Sequence, residues 1–139
     1  MTIFSRIFSK FVNNTLVLNN GIQFAYKGPW VTVGTNTIID SWFIGDFLGA
    51  DYTIALDHGL QNKEMIKCCL VATKDSADLI VYGRTSIENN LVVLTANVDA
   101  SRCYLIANPG VGLDGSTVMT NSKLIFSANY YKTLNEPVN

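Results

Sequence analysis

From Gly28 onward the chain consists of short segments in which apolar and polar residues alternate with a period of two. Turn signals separate these segments about every 8–12 residues, a spacing typical of an all-β sandwich or barrel. Because successive side chains of a strand point to opposite faces, such segments predict half-buried strands. The predicted strands cover residues 30–33, 37–42, 52–56, 65–73, 79–84, 91–98, 102–108 and 123–131.

Composition agrees with this pattern. Val, Ile and Thr, which suit a pleated and half-buried surface, supply 36 of the 139 residues. Charged residues make up only 15% of the chain, which argues against disorder. The predicted fold is an all-β antiparallel β-sandwich with a jelly-roll-like topology and a short N-terminal helical or extended arm. Residues 1–28 are expected to hold the arm and a first hairpin, and residues 29–139 the sandwich domain.

The N-terminal arm has a different pattern. Its apolar residues recur at spacings of three and four, which predicts an amphipathic helix of about three turns ending at Asn13-Asn14; these residues are Ile3, Phe4, Ile7, Phe8, Phe11 and Val12. Such a short helix is not stable alone in water, so the arm must lie on another surface. The turn signal Asn19-Asn20-Gly21 predicts a hairpin between residues 15–18 and 22–26.

Charge is unevenly distributed along the chain. Residues 1–39 contain three basic residues and no acid, whereas residues 40–139 carry a net charge of −4. This asymmetry suggests that the arm docks on the body of its own chain or of a neighbour. One of the adjacent Tyr130 and Tyr131 must face outward, which indicates a protein interface. The candidate assembly interface therefore comprises Ile3, Phe4, Arg6, Ile7, Phe8, Lys10, Phe11 and Tyr131.

Residues that carry chemistry are scarce. His58 is the only histidine, and its neighbours Asp57 and Gly59 indicate a turn with no nucleophile elbow beside it. An imidazole there, outside any network, is expected to change stability by less than about 0.5 kcal/mol. The glycine-bearing loop 109–116 lacks the Lys-Ser/Thr ending and the helix of a phosphate site, so it is predicted to be a turn. No catalytic residue, cofactor or metal is expected.

The remaining side chains favour ordinary structural roles. Solvated loop carboxylates are expected at Asp75, Asp78, Asp46 and Asp51. The odd count of three cysteines indicates reduced thiols, with a Cys69–Cys103 bridge as the alternative. A net charge of −1 gives no basic field for a nucleic acid. The chain has no apolar run of about 20 residues and no secretory signal pattern, so no membrane association is expected.

The stretch from about residue 31 to residue 131 resembles a family of virion proteins. The matching motifs, in chain order, are Asp40-Ser41-Trp42, Ala50-Asp51-Tyr52-Thr53-Ile54, Leu79-Ile80-Val81-Tyr82-Gly83 and Asn108-Pro109. They are similar to small β-sandwich modules in structural proteins of tailed phages, especially the contractile-tailed phages of marine cyanobacteria. The segment 62–69 departs from that pattern, because the family tends to show a glutamine- or serine-rich entry to this strand. The resemblance implies a virion component without enzymatic activity.

Two classes of function follow. The first is a non-enzymatic structural subunit of a tailed-phage virion, as a head decoration, neck, tail or baseplate component. Its partners would be copies of itself and other virion proteins, with no specific nucleic acid and no small-molecule ligand, and it would be made in the host bacterial cytoplasm. The second is a glycan- or host-surface-binding module of a tail fibre or baseplate, which would use exposed aromatic side chains as platforms for sugars.

Overall fold

Two antiparallel sheets form the fold. The computed structural model describes residues 8–12, 15–18 and 22–134, and the side chains of residues 30–134. Within these ranges there are ten strands and no helix: β1 (Phe8–Val12), β2 (Thr15–Leu18), β3 (Ile22–Val33), β4 (Thr37–Phe43), β5 (Phe47–Asp57), β6 (Lys63–Ala72), β7 (Ala77–Ile87), β8 (Val92–Val98), β9 (Arg102–Pro109) and β10 (Ser122–Lys132).

Seven of the described strands form one sheet, and three form the other. One sheet has the order β1-β2-β3-β10-β5-β6-β7, and the other has the order β4-β9-β8. The predicted all-β antiparallel fold is confirmed, and every strand predicted after residue 28 coincides with an observed one, except that two of them extend one residue too far, at Thr73 and at Leu91. A jelly roll has eight strands in two Greek keys, so this strand order does not confirm the jelly-roll-like topology. Strand β3 crosses the predicted boundary at residue 28, and the two-part division stays a prediction.

The helical alternative for the arm is wrong at residues 8–12. These residues form β1, which pairs with β2 through Lys10 opposite Val17 and Val12 opposite Thr15. The register shifts between Phe8 and Lys10, and a bulge of this kind interrupts the strict alternation that a regular strand would show. Pairing with β2 also satisfies backbone groups that a short isolated helix cannot stabilise. Ile3, Phe4, Arg6 and Ile7 lie outside the described residues.

The apolar core lies between the two sheets. Strand β6 shows the underlying rule, because its residues alternate without a break between exposed and buried from Lys63 to Ala72. Strands β5 and β10 contribute the large buried side chains Tyr52, Ile54 and Phe126, and β9 contributes Leu105 from the opposite sheet. The sheets therefore pack face to face as a sandwich.

The cysteines follow the same alternation. Cys68 and Cys103 are buried, whereas the neighbouring Cys69 is exposed on the other face of β6, and all three are free thiols. The expectation of reduced cysteines is confirmed, and the alternative Cys69–Cys103 bridge is not formed. Burial is the main cause that raises the pKa of Cys68 to about 12 and that of Cys103 to about 11. These two thiols are therefore protonated and unreactive at neutral pH.

A buried carboxylate joins the two sheets. Asp40 of β4 is only 5% exposed, and its Oδ2 accepts hydrogen bonds from the hydroxyls of Tyr52 (2.8 Å) and Tyr130 (2.6 Å). Trp42 Nε1 donates in turn to the Tyr52 hydroxyl at 3.0 Å. Burial and the Asp40 charge raise the pKa of both tyrosines well above the ordinary value, so both hydroxyls remain donors.

A second buried carboxylate supports the other end of the sandwich. Glu64 of β6 accepts from Arg84 Nη1 at 3.0 Å, and its Oε1 accepts from the backbone N–H of Leu91 at 3.1 Å. Arg84 also donates to the carbonyl of Val92, at the start of β8 in the opposite sheet. This ion pair therefore fixes where the chain passes from the seven-stranded sheet to the three-stranded one.

The adjacent tyrosines of β10 allow a matched test of the Asp40 network. Tyr130→Phe removes a hydrogen-bond donor to a buried carboxylate, so we expect it to lower the free energy of unfolding by about 1–3 kcal/mol. Tyr131→Phe, on the exposed face, should change it by less than about 0.5 kcal/mol. Urea denaturation of both variants measures the difference, and equal effects would contradict the role given to Asp40.

Candidate functional site

The outer face of the seven-stranded sheet carries the one predicted interface residue whose side chain is described. Tyr131 of β10 is exposed there, while Tyr130 is buried against Asp40, so the predicted alternation of the two tyrosines is confirmed. Phe8, Lys10 and Phe11 belong to β1, at one edge of the same sheet. The structure thus brings β1 and Tyr131 into one sheet, separated by β2 and β3.

A shallow hollow lies beside Tyr131 on this face. It has a volume of about 250 Å³. We call it the Tyr131 hollow; its lining comprises Leu48, Gly49, Ala50, Asp51, Cys69, Leu70, Val71, Asp78, Ile80 and Tyr131. Gly49 pairs with both Tyr131 and Val71, and a Cβ there would come within 2.7 Å of the Leu70 carbonyl oxygen. The glycine is therefore required by close packing, and its lack of a side chain leaves the space open.

Two carboxylates give the Tyr131 hollow a negative rim. Asp51 accepts a hydrogen bond from the Tyr82 hydroxyl at 2.8 Å and a weaker one from Cys69 Sγ at 3.4 Å. The hydrogen bond to Asp51 raises the pKa of Tyr82 to about 12, and burial together with Asp51 raises the pKa of Cys69. Cys69 is therefore a poor nucleophile at neutral pH. The carboxylate of Asp78 has no hydrogen-bond or ion-pair partner within the described part of the chain.

A larger groove lies at one end of the sandwich, around Trp30. Its volume is about 780 Å³, and the indole side chain is 47% exposed. We call it the Trp30 groove; its lining comprises Trp30, Asp57, His58, Gly59, Thr120, Asn121 and Lys123. The turn that follows β5 and the turn that precedes β10 form its walls. An exposed aromatic ring among side chains with donors and acceptors is an arrangement suited to a ligand with both apolar and hydroxyl-bearing surfaces.

The polar groups of the Trp30 groove are held in place. Asp57 Oδ1 accepts from Lys63 Nζ at 2.7 Å and from the Gly59 N–H at 3.0 Å, and these two bonds lower the pKa of Asp57. Lys123 Nζ donates to the Thr32 hydroxyl. Asp57 is thus an ionised acceptor at neutral pH, with Lys123 beside it as a donor.

His58 contacts a serine in a geometry that invites a catalytic interpretation. Its Nδ1 lies 2.8 Å from Ser122 Oγ, so the expectation of an imidazole outside any network is wrong. However, Ser122 is fully buried and its hydroxyl also lies 3.4 Å from the Met119 carbonyl. A nucleophile must reach its substrate, and this one cannot. The contact therefore orients the imidazole and stabilises the turn.

The glycine-bearing loop is a turn, as predicted. Asp114 Oδ1 accepts from the backbone N–H groups of Ser116 (2.9 Å) and Thr117 (2.8 Å), which forms an Asx turn. Gly110 is required at the start of this loop, because a Cβ there would lie 2.4 Å from the Asn90 carbonyl oxygen. Other N–H groups of the loop donate to the Asn89 side chain and to backbone carbonyls, so they are directed at acceptors within the protein and not at an external anion.

The part of the chain that the structure describes offers no metal-binding group of three or more His, Cys, Asp or Glu side chains. It also contains no helix that is long and apolar enough to cross a membrane.

The sequence did not single out the Trp30 groove. Trp30 was one of several aromatics in apolar segments, and His58 and Ser122 are 64 positions apart. Only the pairing of β5 with β10 brings the two turns together. The sequence shows the turn signal Asp57-His58-Gly59, but it does not show that residues 120–123 lie across the groove from this turn.

No protein-family model and no curated protein sequence matches the chain. Among solved structures, the tailspike protein of Acinetobacter baumannii phage AM24 aligns with a TM-score of 0.50 and 14% identity, over 83% of this chain and 27% of the tailspike. The tailspike protein of Acinetobacter phage vB_ApiP_P1 aligns with a TM-score of 0.35 and 11% identity, over 89% of this chain and 23% of the tailspike.

The first of these alignments shows a likeness of fold, whereas the second is too loose to indicate one. This chain spans about a quarter of the length of the tailspikes that it matches. The AM24 tailspike belongs to an Acinetobacter phage, and the sequence resemblance to modules of marine cyanophages is not confirmed and stays a prediction.

The His58–Ser122 contact generates a stability prediction. His58→Ala leaves the buried Ser122 hydroxyl with only its long contact to Met119, so we expect the free energy of unfolding to fall by about 1 kcal/mol. Leu60→Ala, an exposed position in the same turn, should change it by less than about 0.5 kcal/mol. Thermal denaturation compares the two variants, and an unchanged His58→Ala protein would show that the contact does not stabilise the turn.

Proposed function

We propose that this chain is a non-enzymatic structural module of a phage virion, in a tail-associated position, and that it assembles with copies of itself and with other virion proteins. The observation that carries this proposal is the outer face of the seven-stranded sheet, where Leu48, Val71, Ile80 and Tyr131 present apolar side chains around one hollow. Clustered apolar surface of this kind is typical of protein interfaces. The fold likeness to a phage tailspike supports the tail-associated position.

The electrostatic asymmetry of the chain supports assembly through the N-terminal arm. The first 39 residues carry +3 and the remainder carries −4, so the arm of one copy is attracted to the body of another. On this proposal the interface includes Ile3, Phe4, Arg6 and Ile7 in addition to β1 and Tyr131. The buried Ser122, beyond the reach of any substrate, supports the absence of enzymatic activity at the Trp30 groove.

A second function is favoured by the Trp30 groove. Its exposed indole and its fixed carboxylate, imidazole and ammonium groups suit a sugar, which offers an apolar C–H face to the ring and hydroxyls to the polar groups. On this second proposal the chain is a glycan- or host-surface-binding module of a tail fibre or baseplate. The two functions are compatible, because the Trp30 groove and the Tyr131 hollow have no lining residue in common.

Self-assembly is tested by the native mass of the full chain in sedimentation velocity. We expect a multiple of 15.3 kDa. Ile80→Lys, at a 61% exposed position of the outer face, should weaken association by about tenfold or more, since burying an Ile side chain is worth about 1.5–3 kcal/mol. Ile38→Lys is the matched control, because Ile38 is 55% exposed but lies in the three-stranded sheet. A native chain that stays monomeric at all concentrations would contradict the proposal.

Glycan binding is tested by applying the native chain to an array of bacterial surface polysaccharides. If the second function holds, Trp30→Ala should lose at least tenfold in affinity for any polysaccharide that the native chain binds, because the stacking platform is removed. Phe43→Ala provides the control, since Phe43 is a similarly exposed aromatic that stacks under Arg102 in the other sheet. Equal losses in both variants, or no binding by the native chain, would remove this function.

A further inference from the structure

We propose that the Tyr131 hollow receives residues 4–6 of a second copy of this chain, with Phe4 filling the hollow and Arg6 pairing with Asp78. This inference rests on the proposed self-assembly and adds the two surfaces that meet. The occupant is the N-terminal segment of another copy. The contact is heterologous, because a segment of one copy binds a hollow of the next.

The size of the hollow fits an aromatic side chain. It measures about 250 Å³, and an engineered protein cavity of about 150 Å³ lined by apolar side chains is large enough to hold benzene. Leu48, Val71 and Ile80 surround the hollow and are each about half exposed. A Phe ring placed among them would remove apolar surface from water on both partners.

The rim of the hollow fits a cation. Asp78 is exposed and has no ion-pair partner within the described residues, while the segment before residue 40 contains basic residues and no acid. In an extended segment, residues two apart share one side and are about 7 Å apart. Phe4 and Arg6 have this spacing, so the ring can enter the hollow while the guanidinium reaches the carboxylate of Asp78.

The reach of the chain requires the segment to come from another copy. Strand β1 begins at Phe8, and β5 and β6 lie four and five strands away from it in the sheet. At about 4.8 Å per strand this is about 19–24 Å, whereas the four residues from Phe8 back to Phe4 span at most about 14 Å. The Phe4 side chain of the same copy therefore falls short of Val71 and Ile80.

A charge exchange in the full chain tests the proposed pair. Arg6→Asp and Asp78→Arg each place like charges together, so each variant alone should associate at least tenfold more weakly than the native chain in sedimentation velocity. Asp78 is exposed, and circular dichroism of both variants should match that of the native chain. Asp75→Arg, at an exposed acid in the β6–β7 turn outside the hollow, controls for net charge and should associate like the native chain.

Mixing the two weakened variants provides the decisive measurement. Each arm then meets a hollow of opposite charge on the other variant, so the mixture should recover native association, as should the double variant R6D/D78R. If neither the mixture nor the double variant recovers association, the pairing of Arg6 with Asp78 is wrong. If the single variants associate as strongly as the native chain, the chain self-assembles through another surface and only this inference fails. If the native chain itself is monomeric, the proposed self-assembly fails with it.

Discussion

The architecture depends on a carboxylate in the middle of an apolar core. Asp40 reaches from β4, in the small sheet, to hydroxyls on β5 and β10, in the large one. A buried charge is costly unless it is hydrogen-bonded, so the network stabilises the alignment of the two sheets that brings Tyr52 and Tyr130 together at Asp40. The Glu64–Arg84 pair acts in the same way where β7 leads into β8.

With the interior fixed in this way, the two candidate binding surfaces follow from strand order. Strand β10 lies between β3 and β5. The start of β10 therefore brings Asn121 and Lys123 beside Trp30 and His58, and its end brings Tyr131 beside Gly49 and Val71. One strand thus contributes to both surfaces from its opposite ends. A ligand at the Trp30 groove and a second copy at the Tyr131 hollow would not compete for space.

The prediction of the strands succeeded because alternation is a local property. In β6 the buried side chains alternate strictly with exposed ones, which is the period-two pattern of a strand. Glu64 takes a buried position in this alternation, where the backbone N–H of Leu91 and the side chain of Arg84 satisfy its carboxylate. The helix predicted for residues 8–12 is wrong, because these residues pair with β2 as a strand, and this backbone pairing outweighs the helical spacing of their apolar side chains.

The sequence by itself determined the class of fold, the positions of the strands after residue 28, the reduced cysteines, and the opposite directions of Tyr130 and Tyr131. These properties depend on neighbours within a few residues, where side-chain alternation and turn chemistry act. The tertiary structure alone decided the division into seven and three strands, the contact of His58 with Ser122, and the Trp30 groove and Tyr131 hollow. Each of these joins residues that are far apart in the chain, and the pairing of β10 with both β3 and β5 brings them together. The sequence does not show this pairing, because the residues of a strand do not specify locally which strand is its hydrogen-bonded partner.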